Sequence, residues 1–220
     1  MKLGVLSFVA AILAAPLAAQ ASDTQTFAVT LRGSVVDHFS YEYSESDGDC
    51  TITRSGTDGR SLVVRSIRPA RIRVARAAGG VAYRPSRLNV RLTGTSLRGS
   101  ATEIRRCRAA PLERVQRDCA PRTLPRRGAR ARFFRPSANR LAFRTATGPS
   151  LDLCGVQGHA VHSSWLDLAE GALDEQSLFT GRVRRVVVRG AATRESHDAD
   201  LNLTTGTTVR WTLTFRRLSG

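Results

Sequence analysis

A two-residue period runs through this chain and limits what it can fold into. Phe27, Val29 and Leu31 alternate with Ala28, Thr30 and Arg32. Leu88, Val90 and Leu92 alternate with Asn89, Arg91 and Thr93, and Val209, Trp211, Leu213 and Phe215 with Arg210, Thr212, Thr214 and Arg216. Ile72 and Val74 sit between Arg71, Arg73 and Ala75. Successive side chains of a strand point to opposite faces, so each run has one apolar face and one Thr/Arg face. That is the pattern of a half-buried antiparallel strand. Leu62–Val64, Arg132–Phe134 and Leu141–Phe143 read as shorter strands, and the unbroken Val186–Val188 as a central one.

Turn signals fall between the runs at Asp47-Gly48, Asp58-Gly59, Gly79-Gly80, Gly94, Gly148-Pro149, Gly190 and Gly206. Helical pattern is confined to Trp165–Phe179, which Gly171 interrupts, and reads as a short helix or a wrapped loop. The expected fold is all-β: an antiparallel β-sandwich, or a partly open barrel, with few helices and disulfide staples.

The N-terminus sets the compartment. Lys2 is followed by an apolar stretch from Leu3 to Ala19 with Pro16 near its end, and Ala19-Gln20-Ala21 forms a small-x-small cleavage pattern. Residues 1–21 therefore read as a secretory signal peptide. Residues 22–220 are expected to form one β-sandwich-like domain, with no stable membrane span after cleavage. The expected location is secreted or associated with the cell envelope. Four cysteines in an exported chain predict two disulfides. Of three possible pairings, the expected one is Cys107–Cys119, closing a short loop around Pro111, with Cys50–Cys154 tying distant segments.

Charge is lopsided. Without residues 1–21 the chain has 33 arginines, no lysine and 18 acids, a net charge of +15. Coding bias in a GC-rich bacterial genome explains the choice of Arg over Lys, but not the excess of bases over acids. Residues 104–144 hold thirteen arginines against Glu113 and Asp118, broken by Pro111, Pro121, Pro125 and Pro136. This segment reads as a long basic loop region pinned by a disulfide. Arg126, Arg127, Arg130, Arg132 and Arg135, beside Phe133 and Phe134, are the candidate polyanion-binding residues. Guanidinium forks pair with phosphate and carboxylate, and aromatic faces can stack on a base or sugar.

Other chemistry is sparse. The absence of lysine excludes a phosphate-loop lysine, a Schiff base and a Ser-x-x-Lys site. No Gly-x-Ser-x-Gly, His-Glu-x-x-His or Gly-x-Gly-x-x-Gly motif is present. Asp152, His159 and His162 are the candidate metal ligands, with Cys154 assigned to a disulfide. The acidic run Glu45-Ser46-Asp47-Gly48-Asp49 reads as a hairpin turn rather than a calcium loop, since it lacks the distal glutamate. No catalytic residue and no cofactor are assigned. The reading is an exported, non-enzymatic β protein whose Arg-rich surface binds an anionic polymer (wall polymer, polysaccharide or DNA) or a protein partner. The alternative is a secreted hydrolase of an extracellular polymer, with acids or histidines near Asp152–Glu175 at its site.

Overall fold

A computed structural model describes residues 24–145, 151–154, 160–161, 166–180, 183–199 and 202–218. The expected signal peptide lies outside them. The chain forms β1 (Thr24–Asp47), β2 (Cys50–Ser66), β3 (Ala70–Ala77), β4 (Gly80–Arg84), β5 (Arg87–Ser96), β6 (Gly99–Cys107) and β7 (Glu113–Cys119). There follow β8 (Thr123–Phe134), β9 (Arg140–Thr145), β10 (Leu151–Asp152), β11 (Ala160–Val161), β12 (Gly171–Ala172), β13 (Arg185–Asp198) and β14 (Leu203–Arg217).

Twelve of these strands make one antiparallel sheet, in the order β4-β3-β1-β14-β13-β12-β9-β8-β5-β2-β6-β7. Pairing of β1 with β2 brings the sheet back on itself, so eight strands from β1 round to β2 form a ring. The all-β antiparallel expectation holds, with the sheet partly closed into a barrel. The ring is thinnest at β12, which joins β9 to β13 through little more than Gly171. The hairpin β3–β4 extends the sheet from one side of β1, and β6–β7 from the far half of β2.

The two-residue period maps directly onto this ring. Phe27, Val29, Leu31, Leu62, Val64, Leu88, Val90, Phe133, Phe143, Leu213 and Phe215 are all buried inside it. Each such side chain is worth about 1.5–3 kcal/mol in transfer from water. Their aromatic rings meet edge to face, as Phe27 does Phe215 and Phe143 does Trp211. Outward positions carry Arg32, Arg65, Arg91, Arg189, Arg210 and Arg216, which are exposed. Barrels that face lipid have the reverse arrangement, apolar outside and polar within. Among the described residues no helix is long and apolar enough to cross a membrane.

Several glycines read as turns lie inside strands instead. Gly190 is the register partner of Trp211, and a Cβ there would fall 2.3 Å from the indole. Gly171 bounds the same ring, and Gly33 lies against the Trp211 Cβ. These residues make room for a buried Trp whose Nε1 donates to the Ala169 carbonyl at 3.2 Å. Gly48 is a true turn residue: its φ of 65° suits the first position of the two-residue β1–β2 hairpin loop. The acidic run around it is therefore a hairpin tip, as expected. Val186–Val188 is a strand within the sheet, but Val187 faces outward at intermediate burial. The stretch 166–179 is a wrapped loop with β12 and one 3-10 turn, Glu175–Leu178; it drops Leu166, Ala169, Leu173 and Leu178 into the core.

Two expectations are corrected. The disulfides are Cys50–Cys107 and Cys119–Cys154, not Cys107–Cys119 and Cys50–Cys154. Cys50 and Cys107 are direct cross-strand partners on β2 and β6, with Cα atoms 4.0 Å apart. Cys107 ends β6 at the hairpin tip, whereas Cys119 pairs with Gly99 at its base. The hairpin length between them is about 25 Å at strand rise, so the two thiols cannot meet. The second correction concerns 104–144, which is mostly strand rather than loop. Its prolines sit where a ladder needs no donor. Pro111 and Pro121 follow β6 and β7, Pro136 follows β8, and Pro125 falls in a bulge where β8 shifts register against β5.

Candidate functional site

Because outward residues of neighbouring strands stand in register, the arginines of the sequence assemble into rows. Arg91 on β5 is the direct partner of Arg65 on β2, and Arg65 is the direct partner of Arg32 on β1. The row continues through Thr212 on β14 to Arg189 on β13. A second row joins Arg87 on β5, Arg132 on β8 and Arg144 on β9. Neighbouring strands are about 4.8 Å apart, so the arginine side chains of each row spring from adjacent strands side by side. Like charges placed directly opposite each other destabilise a sheet. Among the described residues, none of these seven arginines forms an ion pair with an acid.

The acids lie elsewhere. Arg54 is held by Glu45 and Glu103, and Arg105 by Asp47, near the tip of the β1–β2 hairpin. The arginines at that tip are therefore matched by carboxylates, while, among the described residues, the seven of the two rows are not.

A groove lies across four strands where the first row passes from β2 to β13. Its volume is about 440 Å³. Arg65, Arg32, Thr212 and Arg189 form one side; Val63, Ser34, Arg210 and Ala191, two residues along the same strands, form the other. The small side chains Ser34 and Ala191 leave the floor low between the arginines. The backbone of Gly33 and Gly190 closes it from below, over Trp211.

The sequence-derived arginines are divided by the fold. Arg130 and Arg132 face outward on β8, in the phase of the second row. Arg126 and Arg127 are exposed at the bulge end of the strand. Phe133 points into the core, and Phe134 lies at intermediate burial under Arg144, whose guanidinium is 4.9 Å from its ring centre. Arg135 is set apart. Its Nε donates to Glu175 at 2.5 Å and its Nη1 to the Gly79 carbonyl at 2.7 Å. It clamps the 3-10 turn and the β3–β4 turn to the end of β8, and its charge is met by Glu175.

Inside the barrel, below the aromatic layer, is a polar layer. Asp37 on β1 stands between its two register partners, Arg60 on β2 and Thr207 on β14. Arg60 Nε donates to Asp37 Oδ2 at 2.5 Å and Thr207 Oγ1 to Oδ1 at 2.7 Å. Asp58 accepts from the Cys154 amide at 2.8 Å, and the Tyr41 hydroxyl donates to the Cys154 carbonyl. Burial, with smaller contributions from Tyr43 and the Asp58 charge, pushes the Tyr41 phenol up to about 12. Burial and then Glu175 likewise raise Tyr83. Both are neutral at ordinary pH. Asp37 and Arg60 have no exposed surface, so this layer holds strands together and does not meet a ligand.

Asp152 lies in the short β10–β11 hairpin, its backbone opposite Ala160. Its side chain, His159 and His162 lie outside the described residues. The one His/Cys/acid cluster of metal-binding dimensions among the described residues is Asp49, Cys50 and Cys107, whose two cysteines are joined in a disulfide. Among the described residues, the acids of the alternative hydrolase site are engaged or exposed singly. Asp167 and Glu170 are exposed, Asp174 caps the 3-10 turn by accepting from Gln176 N, and Glu175 holds Arg135.

Sequence reasoning missed Arg32, Arg65, Arg91, Arg189 and Arg210 because they are scattered in the chain. Each is the outward member of an alternating or apolar run, which was the available signal; only register brings them together. What the fold and this face define is an antiparallel β-barrel with an arginine-covered outer wall. No protein-family model matches the chain, and no curated protein does. Among solved structures, a similarity is found to Ail, the attachment invasion locus protein of Yersinia pestis. It has 9% identity and a TM-score of 0.20, covering 88% of this chain and 99% of that one.

Proposed function

We propose that this is an exported, non-enzymatic β protein that binds an anionic polymer of the cell envelope or extracellular space along its barrel wall. The observation that carries this reading is the direct register of Arg91, Arg65 and Arg32, and of Arg87, Arg132 and Arg144, with no acid between them. Guanidinium groups so placed repel one another until an anion lies across them, and a polyanion supplies one group per arginine. Two disulfides suit an oxidising compartment, which agrees with the signal-peptide reading of residues 1–21.

The test is binding of the oxidised protein to a panel of polyanions of matched charge density, including wall polymer, an acidic polysaccharide and DNA, over a salt series. Binding that persists at physiological salt and weakens for Arg65→Gln and Arg132→Gln supports the reading. Equal affinity for every polymer, fading together as salt rises and indifferent to these variants, overturns it.

A further inference from the structure

We propose that the groove between β2, β1, β14 and β13 is a site for a phosphomonoester carried on a hexose-sized group. The inference rests on the barrel wall being an anion-binding surface, and names the ligand of one place on it. The charged side chains of the lining are all cationic, set among Val63, Ala191 and glycine backbone. Arg32, Arg65, Arg189 and Arg210 surround it, Ser34 and Thr212 add hydroxyls, and no Asp, Glu or His is among the lining residues. A guanidinium has five N–H donors and no acceptor. The ligand must therefore bring the acceptor oxygens and the negative charge.

Four cations around one groove discriminate among anions. A carboxylate has two oxygens and one charge, which a single fork satisfies. A sulfate ester and a phosphodiester have one charge each. A phosphomonoester presents three terminal oxygens and, above its second ionisation near pH 6, close to two charges. It can accept from several forks at once and neutralise more of the groove. The volume of about 440 Å³ exceeds what a bare phosphate fills and falls in the range of small-molecule sites. The hydroxyls of Ser34 and Thr212 are placed for a polar carrier such as a sugar.

Titration calorimetry on the oxidised chain with glucose 6-phosphate, glucose 6-sulfate and glucuronate tests this. The phosphate is expected to bind tightest. Its affinity should rise about tenfold from pH 5 to pH 7 as the second proton leaves, while the sulfate shows no such rise. Arg32→Gln and Arg189→Gln should each weaken it about tenfold or more, and Ser34→Glu should abolish it. Arg114→Gln, at an exposed position of β7 outside the ring, should leave it unchanged. All four substitutions are at outward positions, and circular dichroism verifies their folding.

Equal binding of the three anions, a pH-independent phosphate affinity, or equal effects of Arg32→Gln and Arg114→Gln would each overturn the assignment. If the polymers bind and glucose 6-phosphate does not, this inference falls and the broader reading stands. If nothing binds, both fall. Phosphatidylcholine vesicles carrying phosphatidic acid distinguish the carrier. Capture that glucose 6-phosphate reverses upholds the phosphomonoester as a lipid headgroup; no capture, with the sugar phosphate bound, upholds it as a soluble or polymer-borne group.

Discussion

Asp37 and Arg60 are direct cross-strand partners on the inner wall of the barrel, 2.5 Å apart and fully enclosed. A charge pair in such a place is required as a pair. Removing either member leaves the other's charge in the apolar interior, at a cost of about 3–5 kcal/mol, whereas replacing both by apolar groups of similar size is close to neutral. Asp37→Leu and Arg60→Met should each lower the urea midpoint sharply, and the double variant should recover most of the loss. A double variant as weak as the sum of the singles would show that the two residues act independently.

Alkaline stability should follow the enclosed phenols. The unfolded chain gives up phenolic protons from about pH 10. In the folded chain Tyr41 keeps its proton until about 12, held there by burial first. The folded form thus binds more protons over that interval, and its stability falls as pH rises through it. Melting temperature should be unaffected by the tyrosines below about pH 10 and should drop as pH climbs from about 10 to about 12. Tyr41→Phe, which has no proton to lose, should flatten that drop.

Peptide mapping without reduction should recover Cys50 joined to Cys107 and Cys119 joined to Cys154. The crosslinks span 57 and 35 residues, so each is worth about 4 kcal/mol in the chain-entropy model. Reduction should therefore lower the melting temperature strongly. Cys119→Ser with Cys154→Ser should also loosen the segment that Tyr41 and Asp58 hold through the Cys154 backbone.

Gly190→Ala should destabilise by about 1–3 kcal/mol, because the added methyl has no room beside the Trp211 ring. Gly128→Ala is the control. Nothing lies within 4 Å of a Cβ there and the backbone is not left-handed, so the change should be neutral or stabilising by up to about 1 kcal/mol. Thermal melts of the two variants read the difference, and Trp fluorescence follows the first.

The strands were legible because the period of two is a local property. Every alternating run, from Phe27 to Phe215, is a strand with the expected face buried. Partnership between strands is not local. Cys50 and Cys107 meet because β6 pairs with the far half of β2, a long-range fact that no spacing rule encodes. The arginine rows share that cause: Arg32, Arg65 and Arg91 are separated by many residues and united by register. Local composition pointed instead to 104–144, where arginines are dense in sequence. Of those, Arg130 and Arg132 face outward on the wall while Arg135 is held by Glu175. Prolines misled for a related reason. They break helices and central ladders, but Pro125 is accommodated by a bulge.

The alternation of inward and outward residues means that each strand carries two messages that can be edited separately. The inward set answers to its neighbours' volumes, so a change at Leu31 or Val64 is felt through the packing of the whole interior. The outward set answers only to solvent and to whatever touches the wall. Thr212 or Ser34 can be exchanged for another polar residue without consulting the core. A barrel made this way is a fixed frame on which a binding surface can be rewritten one position at a time, and drift among its relatives should be fastest where ligands differ and slowest one residue away.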